Sequence, residues 1–189
     1  MRVGRVDTRS SAEEESDDRL DAASLAEPEA PQEIKQIYQF RNPDISTEVW
    51  FVALGSELAD HSGIRAFLNE HQQDLRGSII IDLEALGAGS LSMVEREGLY
   101  RKAKTSSRMK RYLKKASQAT GLSVDSAQIG WKDSAASYAI KQGFQAMHLV
   151  GMDGAKPALF AQSDDVLENI DEETLGGNAD FVMELLKNI

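Results

Sequence analysis

The chain has 189 residues, 41% of them hydrophobic, which suffices for one domain with a real core and is too short for two large ones. Its formal charge of −10 and pI near 4.8 argue against a nucleic-acid partner, which needs a net or clustered positive field. No stretch reaches the roughly 18 consecutive apolar residues of a membrane helix. The N-terminus "MRVGRVDTRSSAEEE" has no apolar core of the secretory kind, and the absence of cysteine removes disulfides, thiolate nucleophiles and thiolate zinc sites together. Any metal would therefore rest on His, Asp and Glu alone.

Between Ser11 and Pro31 the sequence places eight acidic residues against the single base Arg19. Such a segment cannot bury enough apolar surface to offset its ordering entropy. Three of the four prolines, Pro28, Pro31 and Pro43, also precede residue 45. Residues 1–44 thus read as an acidic, mostly disordered linker with a short strand near Ile34 to Phe40, and residues 45–189 as the folded domain. "EVWFVAL" has the length and the β-branched and aromatic content of a buried strand, and the following "GIRAFLNEH" places Ile64, Phe67 and Leu68 on one helical face. "RGSIIIDLEALGAG" repeats the pattern of a short apolar run between glycines, as in a central strand. In "SSRMKRYLKKASQATG", Met109, Tyr112, Leu113 and Ala116 recur at helical spacing and Gly121 is the stop. "DSAASYAIKQG" predicts a helix capped by Asp133 and closed by Gly143, "FQAMHLVG" a strand, and "NADFVMELLKNI" a last amphipathic helix. This alternation predicts an α/β three-layer sandwich with a largely parallel or mixed central sheet, whose ligands bind at the carboxyl ends of the strands.

Two carboxylates fall at such ends. Glu57 follows the first strand, where a helix N-terminal carboxylate complementing the backbone dipole is the plain structural reading. Asp82 and Glu84 are two residues apart on a strand and so share one face. Two carboxylates on one face need a partner, a metal or a proton if buried, or else the strand end opens to solvent. The basic residues from Arg101 to Lys115 lie mostly opposite Met109, Tyr112 and Leu113, the pattern of a solvated face.

"FVALGSELADHSGIRAF" resembles a segment of the co-catalytic zinc aminopeptidases, metallopeptidase family twenty-eight, with Gly55, Glu57, Gly63, Arg65, Ala66 and Phe67 in matching positions. "IIIDLEALGAG" is similar to the family's Asn-Leu-Asp or Asn-Leu-Glu strand, "KDSAASYAIKQGFQAMHL" to its Ser-Asp-His segment, and "FAQSDDVLENIDEETL" to its Tyr-His-Thr region. The blocks occur in the family's order across residues 48–189. In that family two zinc ions share a water and a glutamate acts as general base. The resemblance implies that Glu57 stands at the general-base position and Glu84 at a carboxylate ligand of one zinc. It further implies that Asp133 stands at the aspartate of Ser-Asp-His, whose histidine is Ser134 here. Leu58 and Ala161 stand where two other metal ligands belong, and Gln162 beside Ala161 offers no imidazole either. None of His61, His71 and His148 falls on a ligand position. His71 suits a helix C-terminus, where its charge complements the dipole.

The family's His-x-Asp and Asn-Asp-Asp motifs have no counterpart in residues 1–46, so the chain reads as the C-terminal half of such a domain. A catalytic zinc needs about three protein ligands and an open position, and the resemblance leaves Glu84 alone. The expectation is a zinc aminopeptidase-like domain, a fragment or degenerate form, that binds no zinc and is not catalytic by itself. The alternative is a peptide-binding or protein-interaction module on the same scaffold. Its partners would be a peptide or protein N-terminus if active, or the missing N-terminal half; nucleic acid is not among them.

Overall fold

The run Ile79-Ile80-Ile81 shows how the sheet is built, because alternate residues of a strand face opposite sides. Ile79 and Ile81 pack toward one pair of helices and Ile80 toward another. The computed structural model describes residues 44–55, 60–160, 163 and 165–189, together with the backbone of residues 36–40. Its strands are β1 (Gln36–Phe40), β2 (Val49–Ala53), β3 (Ile79–Glu84), β4 (Ser90–Glu97), β5 (Ala103–Lys104), β6 (Asp125–Ile129), β7 (Gln145–Asp153) and β8 (Lys156–Pro157). The α-helices are α1 (Ser62–Glu70), α2 (Ser107–Thr120), α3 (Ala135–Lys141) and α4 (Glu172–Lys187).

β1 and β2 form an antiparallel pair, and β3 to β8 form a six-stranded mixed sheet. β7 is its centre, parallel to β3 on one side and antiparallel to β4 on the other. β4 runs parallel to β6. Met147 and Leu149 of β7 join Met109, Leu113 and Ala116 of α2 and Phe181, Val182 and Leu185 of α4 in one core. Ala146, on the opposite face, joins Ala135, Ala136 and Ala139 of α3 with Ile64, Phe67 and Leu68 of α1. The domain is thus a three-layer α/β sandwich, as the strand–helix alternation predicts. The small side chains of the alanines let α3 lie close against the sheet.

Several expected elements fall where the periodicity puts them. Gly121 closes α2 in the left-handed conformation (φ 75°), and Ser106 accepts from the Met109 amide at its start. α3 differs by one residue at its start. Its N-cap is Ser134, which forms a reciprocal capping box with Ser137, and not Asp133. The hydroxyl reaches the amide three residues on, whereas the Asp133 carboxylate accepts from Lys141 Nζ at 2.6 Å and from Ser137 Oγ at 3.0 Å. α4 begins earlier than its amphipathic end suggests, capped by Asp171.

The loop after Glu84 crosses directly over β7 at Gly151. A Cβ there would lie 1.8 Å from the Ala88 carbonyl oxygen and 2.2 Å from that of Ala85. This crossing fixes the carboxyl end of β3. Gly151→Ala is expected to destabilise the fold by about 1–3 kcal/mol, because backbone and not a flexible side chain must move. Gly130→Ala, which meets nothing within 4 Å, should stay within about 0.5 kcal/mol. Urea midpoints of the two variants check this, and equal midpoints would contradict the crossing.

Candidate functional site

Period-2 alternation places Asp82 and Glu84 of β3 on the face covered by α3. His148 lies directly beside Asp82 in the parallel register of β3 and β7, so all three point to one side. A fourth group arrives by an irregularity. β4 shifts register against β6 between Val94 and Arg96, pairing Val94 with Ala127 and Glu97 with Ile129. The extra residue turns Glu97, in place of Arg96, to the face that Val94 shares. Thr105 holds this bulge, its hydroxyl donating to the Val94 carbonyl at 2.7 Å and its amide to the Glu95 carbonyl at 3.1 Å.

The result is a buried chain of charge. His148, 2% exposed, has Nε2 at 3.0 Å from Glu84 Oε2 and Nδ1 at 3.3 Å from Glu97 Oε1. These are ion pairs by distance, with the ring nitrogens off the hydrogen-bonding angle. Glu97 receives a hydrogen bond from Ser134 Oγ at 2.5 Å. Lys132 completes the other end. Its ammonium donates to both oxygens of Glu84, at 2.7 and 2.8 Å, and lies 4.3 Å over the Phe160 ring. Asp82 accepts from the Ala136 amide in the first turn of α3 at 3.1 Å.

Burial of His148 works against its protonation, but Glu84, Glu97 and Asp82 more than offset this and push its pKa up to about 10. Burial would likewise raise Glu84, yet His148 and Lys132 hold it down at about 2. An imidazolium and an ammonium therefore balance the carboxylates that the strands bring together.

Of the positions that the sequence singles out, Glu84 sits at the centre of this cluster. Asp133 lies beside Lys132 in sequence but turns to Lys141. Glu57, Leu58 and Ala161 lie outside the described residues. At the start of α1, Gly63 approaches the end of β2 so closely that a Cβ would lie 2.2 Å from the Gly55 carbonyl oxygen. His71 caps the C-terminus of α1, as expected. His148, Glu97 and Lys132 are not anticipated by the sequence. The one signal for His148 is a lone histidine in an otherwise apolar strand.

The described side chains of this cluster form no metal site. Among the described residues no group of three or more His, Asp or Glu side chains is arranged to hold one. Glu84, the carboxylate at a family ligand position, has both oxygens engaged by Lys132.

The sequence matches the model of Peptidase family M28 over residues 29–186. A search of curated proteins found no match. LapA of Legionella pneumophila shares the fold at TM-score 0.59 and 11% identity, over 76% of this chain and 41% of that one. The aminopeptidase of Aneurinibacillus sp. strain AM-1 does so at TM-score 0.55 and 18% identity, over 76% of this chain and 33% of the other. The chain thus spans less than half the length of both. A 5'-methylthioadenosine/S-adenosyl homocysteine nucleosidase of Campylobacter jejuni is similar at TM-score 0.50 and 10% identity, over 82% of this chain and 90% of that one, a likeness of fold alone. A match across most of the sequence, on a three-layer sandwich with Glu84 at the end of β3, places this chain in Peptidase family M28.

Proposed function

We propose that this chain is a zinc aminopeptidase-like domain that neither holds zinc nor hydrolyses peptides by itself. The observation that supports this is the double contact of Lys132 Nζ with the two oxygens of Glu84. A metal at Glu84 would have to share the carboxylate with that ammonium, and two cations held that close in a partly buried site repel each other. Displacing the ammonium would leave a buried lysine, 10% exposed, without its partner, and breaking a buried pair costs about 3–5 kcal/mol. When bound, zinc would supply the Lewis acid that lowers the pKa of water toward 7. Glu57, at the general-base position by resemblance, would then have a water to deprotonate. The resemblance puts Leu58 and Ala161 at two further ligand positions, and neither side chain can bind a metal.

What the residues present do is positional. Lys132 and His148 neutralise Glu84, Ser134 ties Glu97 to the start of α3, and the Ala136 amide holds Asp82. The cluster locks α3 against the carboxyl ends of the strands without offering an open coordination position. The second reading, a non-catalytic module for binding a peptide or protein on the same scaffold, is favoured by this closure.

Purified protein dialysed against zinc is expected to retain less than one equivalent and to leave an aminoacyl anilide intact. Stoichiometric zinc with turnover abolished by Glu57→Gln would overturn the proposal. Lys132→Ala removes one of the two cations that face Glu84 and should bind zinc at least tenfold more tightly than wild type by calorimetry, about 1.4 kcal/mol. Equal affinities would mean that the lysine is not what excludes the metal.

The same cluster sets a pH profile. The folded pKa of His148 lies above its ordinary 6.5, so its stabilisation is full below pH 6.5 and fades as pH rises toward 10. Glu84 lies below its ordinary 4.5, so its share is full above pH 4.5 and is lost as pH falls toward 2. The difference in melting temperature between wild type and His148→Gln should therefore be largest between about pH 4.5 and 6.5 and shrink on the alkaline side. A difference that grows between pH 6.5 and 10 would contradict the charged imidazole.

A further inference from the structure

From Gly98 to Val124 the sequence contains no Asp or Glu, and eight of the chain's 21 lysines and arginines fall between Arg101 and Lys115. All of these bases but the half-buried Lys110 are exposed. Lys110 pairs with Glu95 at 2.5 Å, Lys104 shares the field of that carboxylate, and Arg108 lies against Tyr112. Among the described residues Arg101, Lys102, Arg111, Lys114 and Lys115 have no carboxylate within ion-pair distance. α2 carries this charge at a cost. Lys110 with Lys114, and Arg111 with Lys115, are like charges four residues apart, which repel on a helix surface. Arg108 and Lys110 also stand near the positive end of the helix dipole, in a helix whose first turn holds no acidic residue. The core makes no demand for these cations, since α2 packs through Met109, Leu113 and Ala116 on its other side.

We propose that the acidic residues 11–31 of the same chain dock on the basic face formed by α2 and β5, held by charge and not by one fixed set of contacts. The two stretches are complementary: residues 11–31 set eight carboxylates against the single base Arg19, and six of the eight fall between Glu13 and Asp21. Residues 11–35 precede β1, and a stretch of that length spans up to roughly 80 Å when extended. A folded domain of this size has a radius of gyration of about 15 Å, so its whole surface is within reach. Covalent linkage holds the segment near the face at an effective concentration on the order of millimolar. A phosphate backbone or an anionic membrane offers the same sign of charge only at its free concentration. It would have to displace the segment against the repulsion of a chain whose formal charge is −10. The docked segment thus neutralises the repelling cations of α2 and screens this face from polyanions. The inference is independent of the Lys132–Glu84 pair.

Paramagnetic relaxation in the full chain tests it. The sequence has no cysteine, so Ser16→Cys supplies the only thiol and takes a nitroxide label. At about 0.1 M salt, where the screening length is roughly 10 Å, the label is expected to attenuate the amide signals of α2 far more than those of α1 and α3, which pack on the opposite face of the sheet. At about 1 M salt, where that length falls to roughly 3 Å, the difference should vanish. It should also vanish when Arg111→Glu, Lys114→Glu and Lys115→Glu are combined, since all three positions are exposed and outside the core. Equal attenuation of the three helices at 0.1 M salt would overturn the proposal, and so would a difference that survives the combined variant. Nitroxide-labelled protein mixed with isotope-enriched protein that lacks the label separates the occupants. The same attenuation of α2 in that mixture would assign the face to the segment of a second copy and overturn the proposal. Shifts of the α2 signals on adding single-stranded oligothymidine or phosphatidylglycerol vesicles, with no attenuation by the Ser16→Cys label beforehand, would assign it to a polyanion from outside and overturn it equally.

Discussion

A carboxylate withdrawn from water must be met by a cation, a proton or several hydrogen-bond donors, and this constraint organises the carboxyl end of the sheet. Asp82 and Glu84 arrive from β3 and Glu97 from β4, with His148 of the central strand between them. Three carboxylates meet two cations, the imidazolium of His148 and the ammonium of Lys132, and the amide of Ala136 takes up part of the remainder. Each group needs the others. Without His148, Glu84 and Glu97 would face each other across a buried position. Without the Gly151 crossing, the end of β3 would not be fixed where Lys132 can reach it.

The cluster also explains why α3 is made as it is. Ala135, Ala136 and Ala139 bury against Ala146, which brings the helix start within hydrogen-bonding distance of Asp82 and Glu97. Larger residues there would lift the helix and break both contacts. Ser134 serves two purposes from one position, capping the helix through its hydroxyl oxygen and donating the hydroxyl hydrogen to Glu97. Packing and electrostatics are therefore not separable in this layer. The small side chains that lower the helix are what make the polar contacts reachable.

Much of the layer order is legible in the sequence because it depends on local period alone. "IIIDLE", "GIRAFLNEH" and "SSRMKRYLKKASQATG" each carry their own signal, and the shared face of Asp82 and Glu84 follows from alternation. The rest depends on pairing. Nothing within "FQAMHLVG" says which neighbour His148 will face, since the parity of one strand relative to another is set by register. Glu97 is hidden twice. β4 reads "SLSMVERE" without a clean alternation, and its bulge reverses which of Arg96 and Glu97 faces inward. Lys132 stands where the family segment has serine, so the resemblance points past it to Asp133 and Ser134. The shift of the α3 cap from Asp133 to Ser134 has the same origin, a competition between adjacent side chains that Lys141 decides by claiming the carboxylate.

A metal and a lysine can meet the same structural demand in different ways. Either cation satisfies a buried glutamate and so preserves the end of the sheet. An ammonium, however, has three donor hydrogens and no vacant orbital, and it can neither bind a water as a ligand nor lower its pKa in the way a zinc ion does. On the proposed reading, replacing the ion by Lys132 keeps the electrostatic role and gives up the chemical one. The fold then has no energetic reason to change, because the sheet senses charge and not coordination. Selection could act instead on the surfaces that the scaffold still presents.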